Sequence, residues 1–222
     1  MRDGDVIHGV CFDLDGTLAD TERVQWQSYR RVLADYGADV DLDEYRRRFI
    51  AVDGGAEWAC RRWRLPIDAA TLRARKAAAY RDLIAAGVPA MPGARACLER
   101  LRGRWRLAVV TNSTRAEAAT VLGPHGIVPL LDAVTAREDY AAAKPAPDAY
   151  VAAAAALDLS PAACVAVEDT PRGLRAAGAA GMRVIAIPSD LTADQDFTGA
   201  VRRLATLDAL TPEFLHAMER DA

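Results

Sequence analysis

The sequence predicts an α/β protein: a parallel β-sheet covered by helices, with an all-helical insert after the first strand. Three observations carry this. Short, β-rich apolar runs recur along the chain. Helical patterns separate them, and that alternation implies parallel βαβ units. The rhythm breaks once, between about residues 21 and 86, where helical patterns follow one another with no good strand.

Val6–Phe12 is the first expected strand. Arg106–Val110, Asp132–Thr135, Cys164–Val167 and Val184–Ile187 are the others. All are near-continuous apolar runs, as expected of strands buried on both faces. Helices are expected at Ala94–Leu101, Arg115–Leu122, Asp148–Leu157 and Gly173–Ala180. Within the insert the expected helices are Glu22–Tyr36, Asp43–Phe49, Ala56–Arg64 and Asp68–Ala86. Gly37 would close the first of them. The stretch Gly87-Val88-Pro89-Ala90-Met91-Pro92-Gly93 reads as the linker back to the sheet, punctuated by Pro and Gly. The expected division is therefore 1–18 with 90–222 for the sheet-bearing core and 19–89 for the insert.

A chain of 222 residues is long enough for one sizeable core and a smaller second unit. Its 51% hydrophobic and 27% charged residues fit a soluble globular protein. A net charge of -3 and no basic stripe argue against a nucleic-acid partner. Arg46-Arg47-Arg48 and Arg61-Arg62-Trp63-Arg64 read as solvated helix faces; a surface that attracts anions is the alternative. Cys11, Cys60, Cys97 and Cys164 show no metal-type spacing. Met1-Arg2-Asp3-Gly4-Asp5 is too charged to begin a secretion signal. No apolar run approaches membrane-spanning length. The expectation is a reduced, cytoplasmic monomer with no membrane partner.

The first strand runs straight into Asp13-Leu14-Asp15-Gly16-Thr17-Leu18-Ala19-Asp20. Aspartate is disfavoured inside strands. Two carboxylates two residues apart at a strand end repel unless a cation or a shared proton offsets them. Gly16 lets the chain turn away, and the Thr17 hydroxyl could tie that turn. A generic pair of this kind would be an acidic turn. This octapeptide, however, resembles the signature of the haloacid dehalogenase-like superfamily of phosphotransferases. Three further stations follow in the family's order, so the resemblance spans nearly the whole chain.

The second is Thr111-Asn112-Ser113 after Arg106–Val110. On residue chemistry alone, Ser113 or Thr114 would simply cap the next helix. The third is Lys144-Pro145-Ala146-Pro147-Asp148, where an isolated lysine would ordinarily be solvated. The fourth is Glu168-Asp169-Thr170, closing Cys164–Val167, where Asp169 or Thr170 would suit a helix N-cap. The chain is most similar to the branch with a helical cap, which includes β-phosphoglucomutase and small-molecule phosphatases.

The resemblance implies a Rossmann-like, doubly wound parallel sheet of order 3-2-1-4-5 with an inserted α-helical cap domain. It implies Mg²⁺ held by Asp13, the backbone carbonyl of Asp15, and Asp169, with Glu168 in support. It makes Asp13 the nucleophile that carries an aspartyl-phosphate, and Asp15 the general acid and then base. Thr111 would bind the transferring phosphate, and Lys144 would clamp phosphate and carboxylate together. Gly16 and Asn112 are expected beside the phosphate. Glu22, Gln25, Asp53, Gly54 and Glu57 are expected on the substrate side of the cap, although ordinary loop and helix polarity explains them equally well.

The implied activity is Mg²⁺-dependent hydrolysis of a small-molecule phosphate ester. Asp15 argues against a dehalogenase proper, whose members lack it. A β-phosphoglucomutase-like mutase is the alternative. The histidine common a few residues into the cap is Gln25 here, and the loop 51–57 holds no arginine; both weaken that alternative. Arg61–Arg64 could still hold a second anion. A non-catalytic regulator that binds a phosphometabolite is a further alternative, although every motif side chain is present. A dinucleotide-binding domain is set aside, because Gly-x-Gly-x-x-Gly is absent after the first strand.

Overall fold

The computed structural model describes residues 6–52 and 54–220. Met1–Asp5 and Asp53, both named above, lie outside the described residues. The chain divides into two compact units, Met1–Ala19 with Pro89–Ala222, and Asp20–Val88.

The first unit is built on a six-stranded sheet of order β3-β2-β1-β4-β5-β6. Its strands are β1 (Gly9–Asp13), β2 (Arg106–Val110), β3 (Ala133–Thr135), β4 (Cys164–Glu168), β5 (Arg183–Ala186) and β6 (Arg202–Arg203). Every pairing is parallel. The order matches the expected 3-2-1-4-5 and adds one edge strand. β1 begins at Gly9 rather than Val6, because its register with β2 and β4 starts at Gly9↔Arg106 and Gly9↔Cys164.

All five residues of β1 and of β4 are buried. Side chains alternate between the faces of a strand, so Cys11 points one way and Val10 and Phe12 the other. The Cys11 face packs with Ala108, Val110 and Ala166 against Tyr150, Ala153, Leu157, Leu174 and Ala177. These last five belong to α7 (Asp148–Ala156), its C-cap, and α8 (Pro171–Ala179). Val10 and Phe12 are also fully buried, so both faces are covered. The small alanines on the Cys11 face allow the helices to approach closely.

The second unit holds α1 (Thr21–Ala34), α2 (Leu42–Tyr45), α3 (Gly55–Arg62) and α4 (Ala69–Ala85). The expected helix Asp43–Phe49 splits: α2 ends at Tyr45 and a π-helical turn occupies Arg46–Ile50. Asp41 and Asp68 cap α2 and α4 by accepting from the N–H groups of Glu44 and Thr71. α1 stops at Ala34, and the chain then turns through Gly37 at a φ of 68°. Val32, Leu33, Val40, Tyr45, Ala59 and Leu72 form this unit's own core.

The first unit also contains α5 (Ala94–Leu101), α6 (Arg115–Leu122) and a C-terminal α9 (Pro212–Arg220) that the sequence reading did not anticipate. Among the described residues no helix is long and apolar enough to cross a membrane.

Candidate functional site

Parallel strands bring the four sequence stations to one edge of the sheet. β1 lies between β2 and β4, with Asp13 opposite Val110 and Phe12 opposite Val167. The carboxyl ends of all three strands are therefore level. Asp13 ends β1, Glu168 ends β4, and Thr111 follows β2. This edge of an open parallel sheet, at the point where connections diverge, is where ligands bind.

Asp13, Glu168 and Asp169 each offer a carboxylate oxygen, and the three oxygens lie within 4.8 Å of one another. Asp13 is 7% exposed, Glu168 1% and Asp169 0%. Lys144 enters this acidic cluster from the loop before α7. Its Nζ donates to Asp13 Oδ1 at 2.6 Å, Glu168 Oε1 at 2.7 Å and the Val110 carbonyl at 2.9 Å.

Burial pushes the Asp13 carboxyl well above the usual carboxylate range, and Glu168 and Asp15 add to the effect; Lys144 opposes it. Burial alone would lower Lys144. Asp13 and Glu168 outweigh it, and the ammonium is held above the ordinary lysine range. One ammonium thus pairs with two of the three carboxylates, and the three together are a donor set of hard oxygens that could hold a metal ion.

Two glycines make room for these carboxylates. Gly16 has a φ of 87°, and a Cβ there would overlap Asp169 Oδ2. A Cβ at Gly173 would overlap the carboxylate of Glu168, which lies against the first turn of α8. The Asp13–Ala19 turn is closed by its backbone: Gly16 N–H donates to Ala19 O, and Ala19 N–H to Leu14 O. The Thr17 hydroxyl does not tie it. That oxygen is buried and has no hydrogen-bond partner among the described residues.

Asp15 points toward β2. Its Oδ2 accepts from Thr111 Oγ1 at 2.8 Å and Ser113 Oγ at 3.2 Å. Thr111 Oγ1 also accepts from Ser113 N–H, so its single proton goes to Asp15. Thr114, not Ser113, caps α6, in a capping box with Glu117. Ser113 is therefore a member of the site, a role its place before a helix disguised. Asn112 Oδ1 accepts from the backbone N–H of Lys144 at 3.1 Å and from Tyr140 Oη at 2.9 Å. A backbone N–H can only donate, which fixes the orientation of the Asn112 amide.

The structure thus brings together Asp13, Asp15, Gly16, Thr111, Asn112, Lys144, Glu168 and Asp169 in the first unit. The remaining expected residues belong to the second unit. Glu22 accepts from Tyr45 Oη at 2.9 Å. Gln25 Oε1 is buried and without a hydrogen-bond partner among the described residues. Gly54 is the left-handed N-cap residue of α3, and Glu57 pairs with Arg73 at 2.6 Å.

Comparison with known proteins places the chain in a family. Residues 7–181 match the haloacid dehalogenase-like hydrolase family. Protein CbbY of Rhodobacter capsulatus is 37% identical over 217 residues, covering 91% of this chain and 95% of that protein. The fructose-1-phosphate phosphatase YqaB of Escherichia coli is 32% identical over 182 residues, covering 80% and 94%. The crystal structure of CbbY from Rhodobacter sphaeroides in complex with phosphate superposes with a TM-score of 0.77 at 32% identity, covering 92% and 96%.

Proposed function

The chain belongs to the haloacid dehalogenase-like hydrolases and is a phosphohydrolase of small phosphate esters; from that premise we propose that it is Mg²⁺-dependent and transfers the phosphoryl group through Asp13. The observation that carries this reading is the buried cluster of Asp13, Glu168 and Asp169 with Lys144 among them. Asp13, Asp169 and the backbone carbonyl of Asp15 would hold the ion, with Glu168 in support. When bound, Mg²⁺ would offset the negative charge that separates a carboxylate nucleophile from a phosphate dianion.

The chain's own groups do the rest. Lys144 steadies Asp13 through Oδ1 and lowers the repulsion an incoming phosphate meets. Asp13 attacks phosphorus in line; a P–O bond to Asp13 forms as the ester P–O bond breaks. Asp15 gives its proton to the leaving alkoxide. Water then attacks phosphorus, and as that P–O bond forms the P–O bond to Asp13 breaks and frees its carboxylate; Asp15 takes the water's proton, and inorganic phosphate leaves. Thr111 and Ser113 hold Asp15 by Oδ2, and the Thr111 hydroxyl would turn to the transferring phosphate when it is bound. Asn112, its amide oxygen already occupied, presents N–H donors to the substrate. We assign the inserted unit, 20–88, as the cap of such an enzyme.

Release of inorganic phosphate from a panel of phosphorylated sugars and an aryl phosphate tests this. Release is expected with Mg²⁺, to vanish in EDTA and to return when Mg²⁺ is restored. Undiminished release in EDTA would overturn the metal dependence. Conversion of one sugar phosphate to another without free phosphate would replace hydrolysis with mutase chemistry.

Gly16→Ala probes the same site from the backbone. A left-handed φ costs a non-glycine residue about 1 kcal/mol. The new methyl must also displace Asp169. The expected result is a loss of about tenfold or more in kcat/KM, roughly 1.4 kcal/mol of transition-state stabilisation. Wild-type kcat/KM in this variant would mean that the position of Asp169 is irrelevant to turnover.

A further inference from the structure

Tyr150 lies in the first turn of α7 and has no part in the chemistry above. Its side chain is 0% exposed. Its hydroxyl lies 2.5 Å from Glu168 Oε1 and 3.3 Å from Lys144 Nζ. The direction of its proton is settled by chemistry. An ammonium has no lone pair to accept it, so the Tyr150 O–H donates to Glu168 Oε1. Lys144 has three protons, and Asp13, Val110 and Glu168 take them at 2.6, 2.9 and 2.7 Å. Glu168 Oε1 therefore accepts from two donors, one neutral and one charged. Glu168 Oε2 meets the Thr170 hydroxyl at a long 3.4 Å.

We propose that Tyr150 is a positioning residue for the cation site: with Lys144 it occupies Oε1 and fixes the plane of the Glu168 carboxylate, which supports Asp13 and Asp169 there. The inference rests on the assignment of Asp13, Glu168 and Asp169 as that site. Partners of this kind, one shell out from a metal, commonly govern affinity by 10- to 100-fold. A phenylalanine would fill the same space and keep the ring's 4.7 Å contact with Lys144 Nζ. It would lose only the proton donor.

Tyr150→Phe isolates that hydroxyl. Calorimetric titration with Mg²⁺ alone is expected to show a Kd raised about tenfold. At saturating Mg²⁺, kcat is expected to fall less than Mg²⁺ affinity does. A Kd within twofold of wild type overturns the proposal. A cycle with Glu168→Gln supplies a second reading that tolerates some loss of stability. If Tyr150 acts through Glu168, adding Tyr150→Phe to Glu168→Gln raises Kd no further; additive losses overturn the proposal. Asp169→Asn separates the two claims. If that variant binds Mg²⁺ like wild type, the assignment of the cation site fails, whatever Tyr150→Phe shows.

Discussion

Asp13→Asn is expected to lose at least about a thousandfold in kcat, roughly 4 kcal/mol of barrier, while the protein stays folded. An amide cannot form the aspartyl-phosphate, so no slower version of the same route is available to the variant. The fold should tolerate the change for reasons visible in the site. The amide oxygen can still accept from Lys144, which keeps Glu168 and the Val110 carbonyl as partners. The ionised Asp13 is disfavoured by burial and by its acidic neighbours, and the amide escapes that penalty. The melting temperature should therefore hold or rise, as when a strained catalytic group is removed. Phosphate release and thermal melting, measured together, decide it. Turnover within tenfold of wild type would reject Asp13 as the nucleophile.

Lys144→Ala should fail on both counts. Its ammonium is the buried counter-charge to Asp13 Oδ1 and Glu168 Oε1, at 2.6 and 2.7 Å. Removing one partner of a buried ionic group costs about 3–5 kcal/mol, because the remaining charges are left without compensation. For a chain of this size that is roughly 6–20 °C of melting temperature. The carboxyls can relax by taking up a proton. The folded pKa of Asp13, already raised, would rise further once Lys144 no longer opposes burial. A carboxyl with a raised folded pKa gives stability that is lost as pH rises, so the variant's deficit should grow above the ordinary carboxylate range and shrink below it. Melting curves across acidic and neutral pH test this, alongside loss of phosphate release. A variant melting within about 2 °C of wild type at neutral pH would show that the cluster needs no lysine.

The contrast between these variants reflects what was legible in the chain. Asp13, Asp15, Lys144, Glu168 and Asp169 were expected from the resemblance of four short motifs to the family's signature; residue chemistry alone gave an acidic turn, a solvated lysine and a helix cap. Apolar runs marked the strands buried on both faces, and a parallel sheet explains why the motifs that end strands meet at one edge. Arg106–Val110, Ala94–Leu101 and Arg115–Leu122 fall where periodicity put them. β6 did not show, since two exposed arginines carry no apolar run. α9 was overlooked although Leu215 and Met218, three apart and buried, mark a helical face. The π-helical turn at Arg46–Ile50 has no local signature and divides one periodic stretch. Ser113 and Tyr150 were opaque for another reason. Each looks locally ordinary, one a hydroxyl before a helix and the other a core aromatic. Their meaning comes from strands and loops distant in sequence: Tyr150 reaches Glu168, and Ser113 reaches Asp15.

The neck of the inserted unit has a consequence of its own. Where the chain departs, Ala19 bridges antiparallel to Ala90, and Met91 N–H donates to Leu18 O where it comes back. Departure and return are thus stitched side by side within the first unit. The two ends of residues 20–88 are therefore held next to each other by the first unit itself, and a change in the length of that excursion need not alter the spacing of Leu18 and Met91.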